Sequence, residues 1–501
     1  MASALKKLAG ETAVYGLSTI LARIVNFLFV PIYTRLLLPE QYGVVTELSA
    51  YIAMLQVLLV MGLETGCFRF ASKEGANPDK VFSNAFAGVF AANSAFLALL
   101  IAFLGPLAGA LGYAGYEKCV LFMGITLFLD NVTAILFAKL RHEHKSLQFA
   151  LIKTAKIFTE LGANLFLFLS PWKPQWVFYF VGQQPDFDYV IFSIFVSSVL
   201  CALLMLPTLL KMSVRLDGKL LKQMLAYSLP LMIAALPGIV NDFLDRVLFR
   251  FFDNGSEAWR ASLGLFQASV KLAVIMNLFI QMFRFAAEPF FFQRAGDKNS
   301  PQLYAKVMNW FTAFCGLVFL GVVLYLDVIG LILGRDFREA LTIVPIMLMA
   351  YMILGMNFNV SMWYKLADKT KMAIWVTTSG LVVTTLINVL FMPMYSYYAA
   401  AWGHLLSYLV MFLISAVLGA KYYPIPYQWK RLGAVILVML ALFALSRPVD
   451  GWFSVESTGE GVLKEGSFWL KMLVHTVLIA VYALAAFKIL GGRKGLQDFQ
   501  E

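Results

Sequence analysis

The chain is short of charge. Only 14% of its residues are Asp, Glu, Lys or Arg, against about 25% in a soluble domain. Hydrophobic residues make up 60%, and the mean hydropathy is +0.77. Over 501 residues that balance excludes a water-soluble fold. Cysteine and histidine are scarce as well, four of each. Cys67, Cys119, Cys201 and Cys315 stand singly, which removes zinc sites, redox pairs and a disulfide framework and leaves small packing residues. His142 and His144 share a basic loop, whereas His404 and His475 fall in apolar runs. No nucleophile–base pair, phosphate-cradling glycine loop or metal-ligand spacing joins them. Long polar stretches are also missing. The loops leave little room for an extramembrane active site, and no nucleotide-binding domain stands ready to drive an ATP-powered pump. The expectation is a protein that is not an enzyme and holds no cofactor or metal.

What is present is apolar sequence in membrane-spanning lengths. Such runs occur at 12–33, 42–65, 81–104, 118–138, 147–169, 189–210 and 222–250, then at 260–283, 304–326, 338–363, 372–392, 397–419, 430–446 and 468–489. They predict an all-α polytopic membrane protein of about fourteen transmembrane helices. Pro230 and Pro237 predict a kink in the seventh span. The first run is too long for a signal-peptide core and lacks a small-residue cleavage site, so the N-terminus is expected to be retained.

The net charge of +11 lies mostly in short loops. Lys6, Lys7, Arg69, Lys73, Lys80, Lys139, Arg141, Lys145, Lys211 and Lys219 fall on one side, and acidic loops such as Asp186–Asp188 on the other. That is the positive-inside pattern rather than a nucleic-acid footprint, and it puts both termini in the cytoplasm. A weak internal repeat sets Tyr15-Gly16-Leu17 against Tyr227-Ser228-Leu229, Gly43 against Gly264, and Lys73-Glu74-Gly75 against Arg294-Ala295-Gly296. It predicts two six-helix lobes, 1–215 and 216–425, followed by two further helices in 426–501.

The first span carries an arginine near its middle. Thr12, Tyr15, Thr19, Arg23 and Asn26 follow helical steps of three and four, so they share one face. A guanidinium at that depth costs roughly 3 kcal/mol unless it meets a carboxylate or a watery lumen. The fifth span places Lys153, Lys156, Glu160 and Asn164 on one face; the seventh clusters Asn241, Asp242, Asp245 and Arg246; the eighth carries Gln267, Lys271, Gln281, Arg284 and Glu288. Arg23, Asn26, Lys153, Lys156, Arg246 and Lys271 are therefore candidates for binding an anionic ligand in a low-dielectric cleft, phosphate being the group that suits Arg and Lys. Each has a plainer alternative. Lys153 lies close enough to the cytoplasmic face to snorkel, the lysines can pair between helices, and Arg246 can neutralise Asp242 or Asp245. Asp130, Asp242, Asp245, Glu47 and Glu160 are candidates for coupling to H+ or Na+, or equally counter-ions.

The run Tyr33-Thr34-Arg35-Leu36-Leu37-Leu38-Pro39-Glu40-Gln41-Tyr42-Gly43 after the arginine-bearing span resembles the polysaccharide transporter family, as do Gly62-Leu63-Glu64-Thr65-Gly66 and Phe68-Arg69-Phe70. These are oligosaccharide-lipid flippases of the O-antigen and exopolysaccharide type, within the multidrug/oligosaccharidyl-lipid/polysaccharide exporter superfamily. The resemblance implies alternating-access transport of an undecaprenyl-diphosphate-linked oligosaccharide, a surface polysaccharide or lipopolysaccharide repeat unit, across a bacterial inner membrane. It implies that Arg23 and Lys271 meet the diphosphate and that the last two helices form a groove for the lipid tail. Membrane lipid is the implied surrounding, and a polysaccharide polymerase and glycosyltransferases of the same pathway are the implied partners. The closely spaced arginines expected in the first helix of the lipid II branch are missing, which favours a surface polysaccharide unit over a peptidoglycan precursor. Two other classes stay open: a cation-coupled multidrug exporter of the same superfamily, which needs an acidic cavity, and a membrane glycosyl- or acyltransferase, in which His404 or His475 is essential.

Overall fold

Inside hydrocarbon a backbone amide finds no water, so a spanning segment must satisfy its own polar groups. The chain does this with helices. In a computed structural model, which describes residues 21, 24–25, 27–212, 216–253, 258–294, 299–367, 369–452 and 466–492, no strand occurs among the described residues. The principal helices are α1 (Val30–Leu36), α2 (Pro39–Val60), α3 (Leu63–Ala71), α4 (Pro78–Ala102), α5 (Glu117–His142), α6 (Ser146–Leu169), α7 (Phe187–Leu210) and α8 (Gly218–Phe252). After them come α9 (Trp259–Gln293), α10 (Ser300–Leu324), α11 (Val344–Val360), α12 (Met372–Tyr395), α13 (Tyr397–Tyr422), α14 (Trp429–Trp452) and α15 (Gly466–Ile489).

Twelve spans among the described residues are long and apolar enough to cross a membrane, α2 and α3 together making one of them. Helix α6 has the same length but falls outside that set, because Lys153, Lys156 and Glu160 crowd its middle. The first predicted span lies largely outside the described residues. Every other predicted run coincides with a helix, and the chain is a multi-pass membrane protein. One boundary differs. The tenth run, predicted from 338, opens as a 3₁₀ segment, Arg335–Ile343, and becomes α-helical at Val344, where Pro345 occupies the first turn and needs no amide partner. Helix α8 continues through Pro230 and Pro237, each of which leaves a carbonyl of the preceding turn, Ala226 and Ile233, without its amide.

Polar side chains within the helices mostly bond to their own backbone. Thr46 donates to Tyr42 O (3.0 Å), Thr133 to Leu129 O (2.9 Å), Asn164 to Glu160 O (2.9 Å) and Asn388 to Thr384 O (2.8 Å). A hydroxyl or amide that bends back in this way can sit in an apolar bundle without a partner on another helix.

The chain divides into two compact units, Met1–Val247 and Leu248–Glu501. In the first, α5 and α6 both pack against α7, and α4 packs against α5. Its core includes Leu63, Cys67, Phe82, Ala85, Ile135, Leu140, Cys201 and Met224. The N-terminal half of α8 closes on α3 through two glycines. Met61 and Gly62 have positive φ (55° and 66°), so the chain turns there between α2 and α3. A Cβ on Gly62 would lie 2.7 Å from Ser228 O, and one on Gly66 would collide with the Ser228 hydroxyl. In the second unit α12, α13, α11 and α9 form a packed series in that order, while α14 and α15 lie against α10 and each other.

Candidate functional site

Facing faces of α5 and α6 carry the ionic residues of the first unit. Lys156 Nζ lies 2.6 Å from Asp130 Oδ1, with the two side chains 25% and 24% exposed. Next to this pair, Asn131 donates to Asn93 (2.7 Å), and Asn93 donates to Val89 O (2.8 Å) and Leu59 O (3.3 Å), so α5, α4 and α2 are tied at one level. One turn along α6, Lys153 makes no ion pair among the described residues. Its ammonium rests 5.2 Å from the ring of Phe137 and 5.4 Å from that of Phe149, a cation–π arrangement that shelters the charge without cancelling it. Arg141, at the C-terminal end of α5, pairs with Glu64 at the start of α3 and covers Phe68 at 5.2 Å. Besides the two pairs, Lys153 adds a third cation and Glu160, one turn beyond Lys156, a third acid.

Glu64 also borders a cavity of about 360 Å³ inside the same unit. Gln56 and Val60 of α2, Ala134 of α5, and Leu231 and Ala235 of α8 form its other walls. An amide and a carboxylate in an otherwise apolar cleft suit a ligand with one polar end.

The remaining predicted residues are dispersed. Arg23 and Asn26 lie outside the described residues. Arg246 is half-buried, its guanidinium 4.7 Å from the ring of Phe243 on its own helix; Asp245 is fully buried and Asp242 exposed. Glu47 is buried, accepting hydrogen bonds from Tyr51 (2.8 Å) and Tyr113. Glu160 lies one turn beyond Lys156 on α6, partly exposed. Lys271 is half-buried in α9 of the second unit. Of the predicted set, then, Lys153, Lys156, Asp130 and Glu160 share one helix-to-helix face. Asp130 is the counter-ion of Lys156, the plainer of the two roles open to each.

In the sequence Arg141 reads as a topology charge and Glu64 as part of the family motif, and nothing in their spacing names them as a pair. Lys365, read as a loop cation, pairs with Glu288 beside a cavity of about 180 Å³ in the second unit, where the Arg284 guanidinium lies 3.9 Å from the ring of Phe358. His404 is buried and stacks on Phe266. Among the described residues no three His, Cys, Asp or Glu side chains are grouped to hold a metal.

The motif residues turn out to build the frame of this site. Pro39 starts α2, and the Gln41 side chain accepts the Leu38 amide at 2.8 Å, closing the helix end. Gly62 and Gly66 admit α8. Arg69 lies over Tyr227 of α8 at 3.8 Å, and Phe70 meets the same ring edge-on.

A family model described as "Polysaccharide biosynthesis protein" matches residues 8–295. No curated protein matches the chain by sequence. Among solved structures, a lipid II flippase MurJ in an inward closed conformation is similar over 95% of this chain and 98% of its own, with 14% identity and a TM-score of 0.71. A MATE protein in complex with MaD3S is similar over 83% of this chain and 95% of its own, with 11% identity and a TM-score of 0.58.

Proposed function

The chain belongs to the polysaccharide biosynthesis protein family, and from that premise we propose that it moves an undecaprenyl-diphosphate-linked oligosaccharide from the inner to the outer leaflet of a bacterial inner membrane. The observation that carries this reading is the ammonium of Lys153, which makes no ion pair among the described residues, beside the Lys156–Asp130 pair. Lys153 rests against the rings of Phe137 and Phe149, and Lys156 pairs with the partly exposed Asp130. A diphosphate offers both lysines several charge-assisted hydrogen bonds in a low-dielectric setting, more than Asp130 alone supplies. Arg23, Asn26, Arg246 and Lys271 are assigned to the same anion. The two-lobe division with two added helices, the cytoplasmic termini and alternating access belong to this proposal too, as do the polymerase and glycosyltransferases that would hand on and receive the unit. Asp130, Asp242, Asp245, Glu47 and Glu160 are the carboxylates from which one is assigned to ion coupling, the others serving as counter-ions.

The test is transport of a fluorescent undecaprenyl-diphosphate oligosaccharide in proteoliposomes, read as label reaching the opposite leaflet. Arg23→Ala, Lys156→Ala and Lys271→Ala should each slow it. Wild-type rates in all three would reject the cationic mechanism. Efflux of cationic drugs with no movement of the lipid would favour the multidrug reading, which the pairing of Asp130 with Lys156 already disfavours because it removes a free acid.

A further inference from the structure

The second unit buries another ionic group where α14 and α15 meet the end of α10. Lys471 and His475 stand one turn apart on α15, Asp450 lies near the end of α14, and Asp327 follows α10 in the short helix Leu326–Ile329. Lys471 Nζ is 2.5 Å from Asp327 Oδ2 and 3.0 Å from Asp450 Oδ1, with its side chain only 6% exposed. His475 is 1% exposed. Its Nδ1 lies 2.7 Å from the backbone carbonyl of Leu324 and its Nε2 3.4 Å from Asp450 Oδ1.

These contacts fix where the ring's hydrogens go. A carbonyl oxygen has only lone pairs to offer, so Nδ1 must carry the hydrogen. In a neutral ring Nε2 is then bare, and its lone pair faces a carboxylate oxygen. Nε2 makes no hydrogen bond among the described residues, and two acceptors facing each other in a buried place are costly. One proton turns that contact into a charge-assisted hydrogen bond. Charge balance agrees: two carboxylates against one ammonium leave one negative charge over, and a proton on the ring brings the group to neutrality. Three other ionisable groups on the packed elements have contacts of their own. Arg447 of α14 covers Phe443 at 4.7 Å, the Tyr325 hydroxyl pairs with Thr476 at 2.5 Å, and Tyr482 of α15 donates to Ala313 O of α10 at 3.1 Å.

We propose that His475 and Asp450 form a proton-binding site, with one proton held between Nε2 and Oδ1, and that its binding and release couple transport to the proton gradient. Protonated, His475 ties α15 at once to the end of α10 and to α14; deprotonated, it keeps the first tie and loses the second. On the topology proposed above this end of the helices faces outward, toward the acidic side of an energised membrane. The coupling rests on the transporter reading, whereas the site itself does not.

The full chain, 15N-labelled at its four histidines and held in nanodiscs of phosphatidylethanolamine and phosphatidylglycerol, tests the site by NMR. His475→Gln identifies the ring's two nitrogens. On acidification the ring should pass from the Nδ1–H form to one with both nitrogens protonated, and Asp450→Asn should displace or abolish that change. A ring that stays neutral throughout, or that carries its single hydrogen on Nε2, overturns the site. In proteoliposomes carrying the labelled undecaprenyl-diphosphate lipid, an inward proton gradient should change the wild-type rate about tenfold, and His475→Gln should remove that dependence. Retained dependence in the variant overturns the coupling. Should His475→Gln fail to fold, Asp450→Asn carries the same measurement. Wild-type protein that moves no lipid under any gradient defeats the flippase reading, and the NMR result still decides the site.

Discussion

The two ionic groups, one in each unit, solve the same problem differently. On α5 and α6 a single carboxylate meets a single ammonium, each about a quarter exposed, and a second lysine is left to aromatic faces. At the end of α10 the ammonium of Lys471 is held between two carboxylates and almost closed off from water. A cation with one partly hydrated partner can exchange it for a better anion. One clasped by two acids, itself almost closed off from water, cannot do so without leaving both carboxylates without their common partner. The first arrangement suits binding a phosphate that comes and goes. The second suits a fixed scaffold whose only exchangeable member is the proton on its histidine.

That contrast can be broken most severely at Lys471. Lys471→Met leaves Asp327 and Asp450 without their common partner and should lower stability by about 3–5 kcal/mol, read as a large drop in the detergent unfolding temperature; a shift as small as that of Lys156→Met would erase the difference between the groups. Next comes the frame of the first group. Gly62→Val places a branched side chain at positive φ against Ser228 O and should cost about 2–3 kcal/mol, seen as poor yield of folded protein and an early unfolding transition. Lys156→Met should cost about 1–2 kcal/mol after allowance for solvent screening, and adding Asp130→Leu should recover most of it. A double variant as unstable as the sum of the singles would mean that the two residues do not act as a pair. Gln41→Ala, which opens the start of α2 under the first group, should cost about 0.5–1 kcal/mol. Lys153→Gln should change stability by no more than about 0.5–1 kcal/mol while slowing lipid transport several-fold, and transport at the wild-type rate would assign Lys153 to the interface instead.

Much of the fold was legible in the chain because a spanning helix announces itself in apolar length alone, with no need of a partner. The runs at 372–392 and 397–419 became α12 and α13 almost residue for residue. The 3₁₀ opening before Val344 was not legible, since hydropathy cannot tell one helical hydrogen-bond pattern from another. The site was only half legible. Steps of three and four put Lys153, Lys156 and Glu160 on one face of α6, but nothing in that spacing names Asp130 as the partner of Lys156. The Lys471–His475 spacing was equally visible, yet its meaning depends on two carboxylates on other helices, Asp327 being well over a hundred residues away.

The sequence by itself determined that the chain is helical, that it crosses the membrane many times, and which helices carry charge into the bilayer. Each follows from properties a segment has alone: apolar length, helical period and the cost of burying an ion. Only the tertiary structure decided which charges cancel, that Lys153 keeps an aromatic shelter and no acid, that Gly62 and Gly66 exist to admit Ser228, and that His475 turns a bare nitrogen toward Asp450. Coulomb attraction, steric contact and hydrogen bonding all act across a few ångströms of space and take no account of distance along the chain, so they come into being only when the helices have packed.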